Sequence, residues 1–251
     1  MKIALFGYGK MGKTIERLAV ERGHEISAVF DSNNPFSHAS RGCADVAIEF
    51  SRPDAVMNNI QLALENDMPL VVGTTSWQQH LQEVREKVDL YQGSLLYASN
   101  FSLGVAIYQA LVKHMAQLLN QHPTYKLSLE EIHHTEKLDA PSGTAISIAE
   151  TVIEHYSSLK AWELSENSNP EILPITALRI PGVPGTHTLK ADSHIDSLHL
   201  SHVAHNRDGF ALGAILSAEF LWNQRGIFTL QDVLKLFEKS SHISLGDNFL
   251  C

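Results

Sequence analysis

One short segment of the chain concentrates side chains that could move protons and hold an anion. Residues 130–145 read EEIHHTEKLDAPSGTA, with adjacent His133 and His134 followed by Lys137 and by a Ser-Gly-Thr turn at 142–144. An imidazole titrates near neutral pH and can exchange a proton, and a lysine adds a fixed positive charge. The turn is predicted to open a helix, and the backbone N–H groups of a helix start bind carboxylates. The segment therefore predicts a site for a small acidic substrate.

Two other interpretations of this segment compete with that one. It could be a solvated connection between a strand and a loop, or a metal site built from Glu130 or Glu131 with a distant histidine. Adjacent histidines on a strand point to opposite faces, so His133 and His134 cannot easily share one ion. The remaining histidines have no compact ligand spacing; those considered as the distant partner are His187, His194, His199, His202 and His205. No metal is predicted, and the role of the histidine-rich stretch 187–205 stays open.

A second chemical motif lies at the N-terminus, where the pattern GxGxxG follows a short apolar run. The pattern is made by Gly7, Tyr8, Gly9, Lys10, Met11 and Gly12. A predicted strand at 2–6 precedes it, a predicted helix at 13–22 follows, and Asp31 comes 19 positions after the last glycine. That context is the one a dinucleotide-binding motif requires, because the helix start receives the pyrophosphate. The sequence therefore predicts a nicotinamide dinucleotide site.

The residue at the end of the second predicted strand bears on the choice of dinucleotide. The Asp31 carboxylate can accept hydrogen bonds from the ribose hydroxyls and would repel a 2′-phosphate. Ser32 and Asn33 follow it and supply no arginine to offset that repulsion. We expect NADH to be preferred over NADPH.

Composition narrows the class of protein. The 251 residues are 44% hydrophobic and 19% charged, as in an ordinary globular protein, and the net charge of -9 argues against nucleic-acid binding. No apolar run approaches the roughly 18 residues of a membrane-spanning helix, so no membrane partner is expected. With only Cys43 and Cys251 there is no disulfide framework, and a cytoplasmic setting is expected.

The hydrophobic pattern predicts two domains. Apolar runs at 2–6, 25–30, 46–50, 70–72 and 94–98 alternate with helical stretches, which predicts a Rossmann-type, doubly wound parallel sheet in an α/β fold. The later half predicts a second, α+β domain with helices at 105–119 and after the Ser-Gly-Thr turn, and strands at 126–132, 176–180, 187–191 and 197–204. Residues 157–174 are predicted to be a surface loop, and residues 209–223 and 230–239 to be helices. The boundaries are 1–101 plus 209–251 for the dinucleotide domain, and 102–208 for the substrate-binding and oligomerisation domain.

Several motifs together resemble the 4-hydroxy-tetrahydrodipicolinate reductase family, also called dihydrodipicolinate reductase. These are GYGKMG, VVGTTS at 71–76, ASNFSLGV at 98–105, the segment EEIHHTEKLDAPSGTA, and RIPGVPGTHT at 179–188. The resemblance implies NAD(P)H-dependent reduction of 4-hydroxy-tetrahydrodipicolinate with loss of water, in the diaminopimelate route to lysine. It also implies a homotetramer that packs through the sheet of the second domain.

The resemblance also implies roles for individual residues. His133 would be a proton donor or acceptor and Lys137 a proton donor, while His134, Gly143 and Thr144 would bind a substrate carboxylate. Cofactor contacts would come from the 7–12 loop and from Asp31, Gly73, Thr74, Thr75, Ala98, Ser99, Asn100, Phe101 and Phe210. Two alternatives stay open: a Rossmann reductase acting on another acid, and a non-enzymatic NAD-sensing regulator.

Overall fold

A computed structural model describes residues 1–165 and 169–239, without the side chains of 235–239. The chain divides into two compact units, one made of Met1–Phe101 with the chain from Phe210 onward, and the other of Ser102–Gly209. Residues 240–251, which were assigned to the dinucleotide domain, lie outside the described residues. No helix in the described ranges has both the length and the apolarity needed to cross a membrane.

Strands and helices alternate in the first hundred residues, except that the second and third strands are joined without an α-helix. The elements are β1 Lys2–Phe6, α1 Lys10–Glu21, β2 Glu25–Phe30, β3 Val46–Glu49, α2 Val56–Glu65, β4 Leu70–Val72, α3 Leu81–Tyr91 and β5 Ser94–Tyr97. Short 3-10 turns lie at His38–Ser40 and Gln78–His80. The predicted α/β alternation is confirmed, and each strand lies within one or two residues of its predicted position.

The middle of the chain forms the second unit. Its elements are α4 Leu103–Leu119, β6 Lys126–His133, α5 Gly143–His155, β7 Ala161–Glu163, β8 Ile172–Arg179, β9 Gly185–Asp192 and β10 Ser197–Ala204. The chain then continues through α6 Asp208–Leu221, β11 Gly226–Thr229 and α7 Leu230–Lys239. The predicted helices at 105–119, 209–223 and 230–239 are confirmed.

The first unit is built on a six-stranded sheet of order β11-β5-β4-β3-β1-β2, in which every pairing is parallel. Its strands are continuous apolar runs, as expected for a parallel sheet covered on both faces. Ile3, Leu5, Ile48 and Val71 are all at most 1% exposed. Five strands were predicted, and the sixth, β11, was missed because four residues after a polar turn carry too little periodicity to be recognised.

The second unit contains a mixed five-stranded sheet of order β10-β9-β6-β8-β7. Buried and less buried residues alternate along β6 and β9, so one face is covered and the other is open. On the covered face, Leu129 and Leu189 pack in one cluster with Val112 of α4 and Ile148 of α5. On the open face, Lys190 forms an ion pair of 2.9 Å with Glu130.

The prediction of a surface loop over residues 157–174 is wrong in part. The segment contains β7 and the first residues of β8, which pair in parallel from Ala161 opposite Ile172 to Glu163 opposite Pro174. A proline cannot donate to a ladder, but at the sheet margin it is compatible with a strand. The β6 pairing begins only at Ile175, after that proline.

Candidate active site

The residues predicted to bind a dinucleotide lie along one edge of the first unit's sheet. Because all its strands are parallel, their carboxyl ends share that edge, where ligands bind in open α/β sheets. The glycine loop follows β1, Asp31 follows β2, residues 73–75 follow β4, and residues 98–101 follow β5. Phe210 belongs to the same unit, half-buried in the first turn of α6.

The glycine loop is shaped by two close approaches. Gly7 has φ +94 and donates its N–H to the Phe30 carbonyl at 2.8 Å, while a Cβ there would lie 2.4 Å from the Phe50 carbonyl oxygen. A Cβ on Gly12 would lie 2.4 Å from the Gly7 carbonyl oxygen. A Cβ on Gly9, by contrast, would meet no described atom within 4 Å. The N-terminus of α1 is therefore packed tightly from behind and open in front, as phosphate binding requires.

Two polar residues at this edge, Asp31 and Thr74, are fixed by hydrogen bonds in different ways. Asp31 Oδ1 accepts hydrogen bonds from the N–H groups of Asn33 and Asn34, at 2.8 and 3.0 Å. The Thr74 carbonyl accepts the Trp77 indole N–H at 2.9 Å. Thr74 Oγ1 is buried and has no hydrogen-bond partner among the described residues, so it can serve a ligand.

Two aromatic residues predicted at this edge differ in exposure: Phe101 has a buried side chain and Tyr8 an exposed one. Phe101 is 2% exposed and packs against Phe50, with ring centroids 5.8 Å apart, so its side chain belongs to the core. Tyr8 is exposed; its hydroxyl donates to Glu16, which raises the pKa of that tyrosine. Lys13 lies over the Tyr8 ring at 5.8 Å from its centroid.

In the second unit, the predicted proton-handling residues lie at and just after the end of β6. His133 is buried at 8% exposure on the covered face of the sheet, and its neighbour His134 points the other way and is half-buried. Lys137 is in the following turn, where its Nζ donates to both oxygens of Asp139 at 2.8 Å. This hydrogen bond is the main reason that the pKa of the Asp139 carboxyl lies below its usual value.

The Ser-Gly-Thr turn opens α5, as predicted. Ser142 is the N-cap residue, and its Oγ accepts the Ala145 N–H at 3.1 Å. Gly143 is exposed, and a Cβ there would meet no described atom within 4 Å. The first turn of α5, which holds Gly143 and Thr144, therefore faces open space with the positive end of its dipole.

A buried carboxylate connects these pieces, and the sequence did not assign it a role. Glu131 has no exposed surface; both its oxygens accept the Ser142 N–H, at 3.2 and 3.1 Å, and Oε1 also accepts Arg179 Nη2 at 3.1 Å. Its Oε2 lies 3.3 Å from His133 Nδ1 and 3.8 Å from His187 Nε2. The spacing of two residues on a strand already placed Glu131 and His133 on one face. His187 comes next to Glu131 through the register of β9 on β6, which no short stretch of sequence predicts.

Glu131, His133 and His187 also offer three possible metal-ligand atoms within 4.8 Å of one another. A site of Glu131 with a distant histidine such as His187 is the one that the sequence disfavours for lack of compact ligand spacing, and the strand register brings these two residues together. However, the Arg179 guanidinium is already bound to the carboxylate, and Lys137 adds a second positive charge that acts on His133. Two cations at the cluster disfavour a third, divalent one.

Both buried histidines are held in the neutral form. Burial is the main cause that lowers the pKa of His133; the Glu131 charge opposes it, and Lys137 and Arg179 lower it further. Burial, followed by the neighbouring His133, lowers the pKa of His187 to about 4. The two rings meet edge to face with centroids 5.1 Å apart. Near neutral pH, His133 is therefore a proton acceptor, whereas the Lys137 ammonium is a donor.

Two family models together match nearly the whole chain. Residues 1–101 match the family described as dihydrodipicolinate reductase, N-terminus, and residues 104–234 match dihydrodipicolinate reductase, C-terminus. The 4-hydroxy-tetrahydrodipicolinate reductase of Christiangramia forsetii is 44% identical over 93% of this chain and 98% of its own. That of Staphylococcus carnosus is 32% identical over 93% of this chain and 99% of its own.

Solved structures agree on the fold. A dipicolinate-bound dihydrodipicolinate reductase from Paenisporosarcina sp. TG-14 superposes with a TM-score of 0.72 at 24% identity, over 91% of this chain and 97% of that one. An amine dehydrogenase from Mycobacterium smegmatis superposes with a TM-score of 0.58 at 8% identity, over 92% and 95% of the two chains. At these identities the likeness concerns architecture alone.

Proposed function

The chain belongs to the dihydrodipicolinate reductase family, and we propose that its second unit carries the substrate and proton-handling residues while its first unit holds the dinucleotide. The enzyme is an NAD(P)H-dependent oxidoreductase that reduces 4-hydroxy-tetrahydrodipicolinate to tetrahydrodipicolinate with loss of water, in lysine biosynthesis. The observation that carries the assignment of roles is the Glu131 carboxylate, which ties His133, the Lys137 turn and the start of α5 into one cluster.

The open face of the glycine loop supports the cofactor part of the proposal. The α1 N-terminus at Gly9 binds the pyrophosphate, and residues 73–75 and 98–101 line the same edge. We place Phe210 with them because it belongs to the same unit. When bound, the dinucleotide supplies a hydride.

The preferred dinucleotide is NADH. The loop N–H groups hold the Asp31 carboxylate at the end of β2, where it meets the ribose hydroxyls and repels a 2′-phosphate. Catalytic efficiency with each cofactor tests this choice. Asp31→Ser should raise the efficiency with NADPH relative to NADH, and a wild-type enzyme that strongly prefers NADPH would contradict it.

The substrate is a small dicarboxylate, and its carboxylates are held by the start of α5 and by the basic side chains beside it. Gly143 and Thr144 lie in a first helical turn with its positive end open, and His134 and Lys137 supply further donors. The relative from Paenisporosarcina binds dipicolinate, a planar compound of this class.

The protons are handled by Lys137 and His133. Loss of the 4-hydroxyl as water leaves a C=C conjugated with the ring C=N, and hydride addition at C4 places negative charge on the neighbouring carbon and nitrogen. The Lys137 ammonium stabilises that charge and supplies the proton that completes reduction. The neutral Lys137 amine that remains must regain a proton from solvent, and His133, neutral and buried, takes up that proton and passes it to the lysine.

The decisive assay follows the loss of nicotinamide absorbance, with substrate freshly made by the preceding synthase from pyruvate and aspartate semialdehyde. Wild-type protein should oxidise NADH rapidly, His133→Ala should abolish the reaction, and His194→Ala, in an exposed turn, should leave it unchanged. Folded protein that binds a dinucleotide but oxidises neither NADH nor NADPH would contradict the function. Equal activity in both variants would contradict the site.

We also propose a cytoplasmic homotetramer that packs through the open face of the second sheet. One row across that face joins Val203, Thr186, Ile132 and Leu178 in direct register. Val203 is 55% exposed and Leu178 is 39% exposed, so the row leaves apolar side chains that an interface would cover. The chain's two cysteines fit a reducing compartment.

A further inference from the structure

Glu131 is a buried polar group that no step of the proposed reaction uses. A carboxylate with no exposed surface is costly unless every part of it is paired. Its partners are the Ser142 N–H, which starts the substrate-binding turn, and Arg179, whose Nη2 reaches it at 3.1 Å. Ser142 directly precedes Gly143, and Arg179 hydrogen-bonds the backbone of Lys137. The proposed function places both Gly143 and Lys137 at the substrate.

Arg179 extends the link to the lysine turn. Its Nε donates to the Lys137 carbonyl at 3.3 Å and its Nη2 to the Asp139 carbonyl at 2.5 Å. The turn between β6 and α5 is thus held at both ends by one ion pair: the Lys137 end through Arg179, and the Ser142 end directly. Ile180 N–H also binds the His133 carbonyl at 2.8 Å, which keeps β8 in step with the end of β6.

The same carboxylate faces the buried imidazoles. Its Oε2 is 3.3 Å from His133 Nδ1, a nitrogen without a properly oriented hydrogen-bond partner among the described residues. His187 Nε2 approaches Oε2 at 3.8 Å and shares a hydrogen bond of 3.2 Å with Ser142 Oγ. The charged and titratable groups that act on His133 are Glu131, Lys137, Arg179, Asp139 and His187.

We propose that Glu131 is a positioning residue for the reduction: one buried carboxylate orients His133, fixes the Lys137 turn through Arg179, and anchors the helix start that binds the substrate carboxylate. This inference rests on the proposed roles of His133 and Lys137, and it adds Arg179 as its relay. Glu131→Gln removes the negative charge and keeps the size of the side chain. A loss of activity in that variant therefore reports the orienting and electrostatic roles of Glu131 and not its packing.

The test compares three variants with wild-type enzyme in the coupled assay. Glu131→Gln should lower kcat at least about tenfold and move the acid limb of the kcat/KM profile to lower pH, because the Glu131 charge favours protonated His133. Glu131→Asp, which keeps the charge, should leave that limb closer to wild type. Glu154→Gln, on the exposed face of α5, should change neither.

Affinity measurements complete the design. Glu131→Gln should weaken dipicolinate binding, because the α5 start is no longer anchored, while NADH binding stays at the wild-type value. Wild-type kcat and an unmoved pH limb in folded Glu131→Gln would overturn the inference. If that variant does not fold, Arg179→Lys carries the test: folded protein with reduced kcat supports the relay, and wild-type kcat overturns it. Failure of the wild-type enzyme to turn over would refute the proposed function instead.

Discussion

Lys137 combines a fixed charge with a carboxylate partner, and its removal should affect the chemical step. Lys137→Ala should lower kcat on the order of 10²-fold, because the variant loses a proton donor for the charge that hydride addition creates. The measurement is steady-state kinetics with NADH and the coupled substrate. Lys126→Ala, at the exposed start of β6, is the control and should be unaffected. An effect on KM alone would make Lys137 a binding residue only.

The buried His187 makes stability depend on pH. Its pKa is about 4 in the folded chain against 6.5 as reference, so the unfolded chain binds more protons between these values. The stabilisation that comes from keeping His187 neutral is therefore fully present above pH 6.5, the reference pKa. It is lost as the pH falls from 6.5 towards 4. The loss is at most about 3 kcal/mol. His133 and His202 are shifted in the same direction, also chiefly by burial.

Urea unfolding near pH 7 and near pH 5 measures this contribution. His187→Gln should flatten the pH dependence between the two conditions, since it removes the titrating ring and keeps a polar group beside Ser142. The exposed His194 gives the matched control, and His194→Gln should keep the wild-type slope. An unchanged slope in His187→Gln would show that other groups govern the acid sensitivity.

At the scale of elements, two glycines of the loop before α1 should respond differently to substitution: Gly9 through ligand binding and Gly12 through packing. Gly9→Ala adds a Cβ into space where no described atom lies within 4 Å, so stability should hold. If the pyrophosphate binds there, NADH affinity should fall at least about tenfold from the steric clash. Gly12→Ala instead places its Cβ 2.4 Å from the Gly7 carbonyl oxygen and should destabilise the unit itself, by about 1–3 kcal/mol.

Calorimetric titration with NADH and thermal unfolding distinguish the two effects. Gly9→Ala should keep its Tm and lose affinity, whereas Gly12→Ala should lose Tm. Gly23→Ala is not a suitable control, because Gly23 has φ +82. Gly143→Ala, in the second unit, is the matched control, because a Cβ there also meets no described atom within 4 Å; it should keep both Tm and NADH affinity. Full NADH affinity in Gly9→Ala would place the pyrophosphate elsewhere.

Elements with strong local patterns could be predicted from the sequence, and those defined by pairing could not. The Ser142 cap and the apolar stripe after it predicted α5, and the alternation from Lys126 predicted β6. By contrast, β7 and β11 are three and four residues long and exist as strands because β8 and β5 lie beside them. A strand of that length is specified by its partner more than by its own residues.

The candidate site shows the same limit. Motif spacing placed His133, Lys137 and the Ser-Gly-Thr turn in one segment, and all of them lie at or just after the end of β6. Arg179 and His187 are 48 and 56 positions beyond Glu131 and come to it through the β8 and β9 registers. A single sequence carries no record of register, so the buried network that organises the segment could not be predicted.

For the whole molecule, the open sheet face of the second unit gives the last prediction. Val203, Ile132 and Leu178 form an apolar row there, and packing against another copy would bury it. Val203→Arg puts a charge into that contact without a designed partner, and burying an unpaired charge is strongly unfavourable. Sedimentation of the full chain should therefore change from a tetramer to smaller species. Within one copy the Val203 side chain is 55% exposed, so an arginine there can reach solvent and the fold should survive.

Val20→Arg is the control for added charge, because Val20 is 58% exposed on α1, an element of the first unit. It should sediment as wild type does. If Val203→Arg stays tetrameric, the interface lies on another surface, and if the wild-type chain is monomeric, the tetramer itself is refuted. A variant that dissociates but retains wild-type kcat would show that each chain holds a complete site. Loss of kcat on dissociation, with circular dichroism unchanged, would show that assembly keeps β8 and β9 in the register that Glu131 needs.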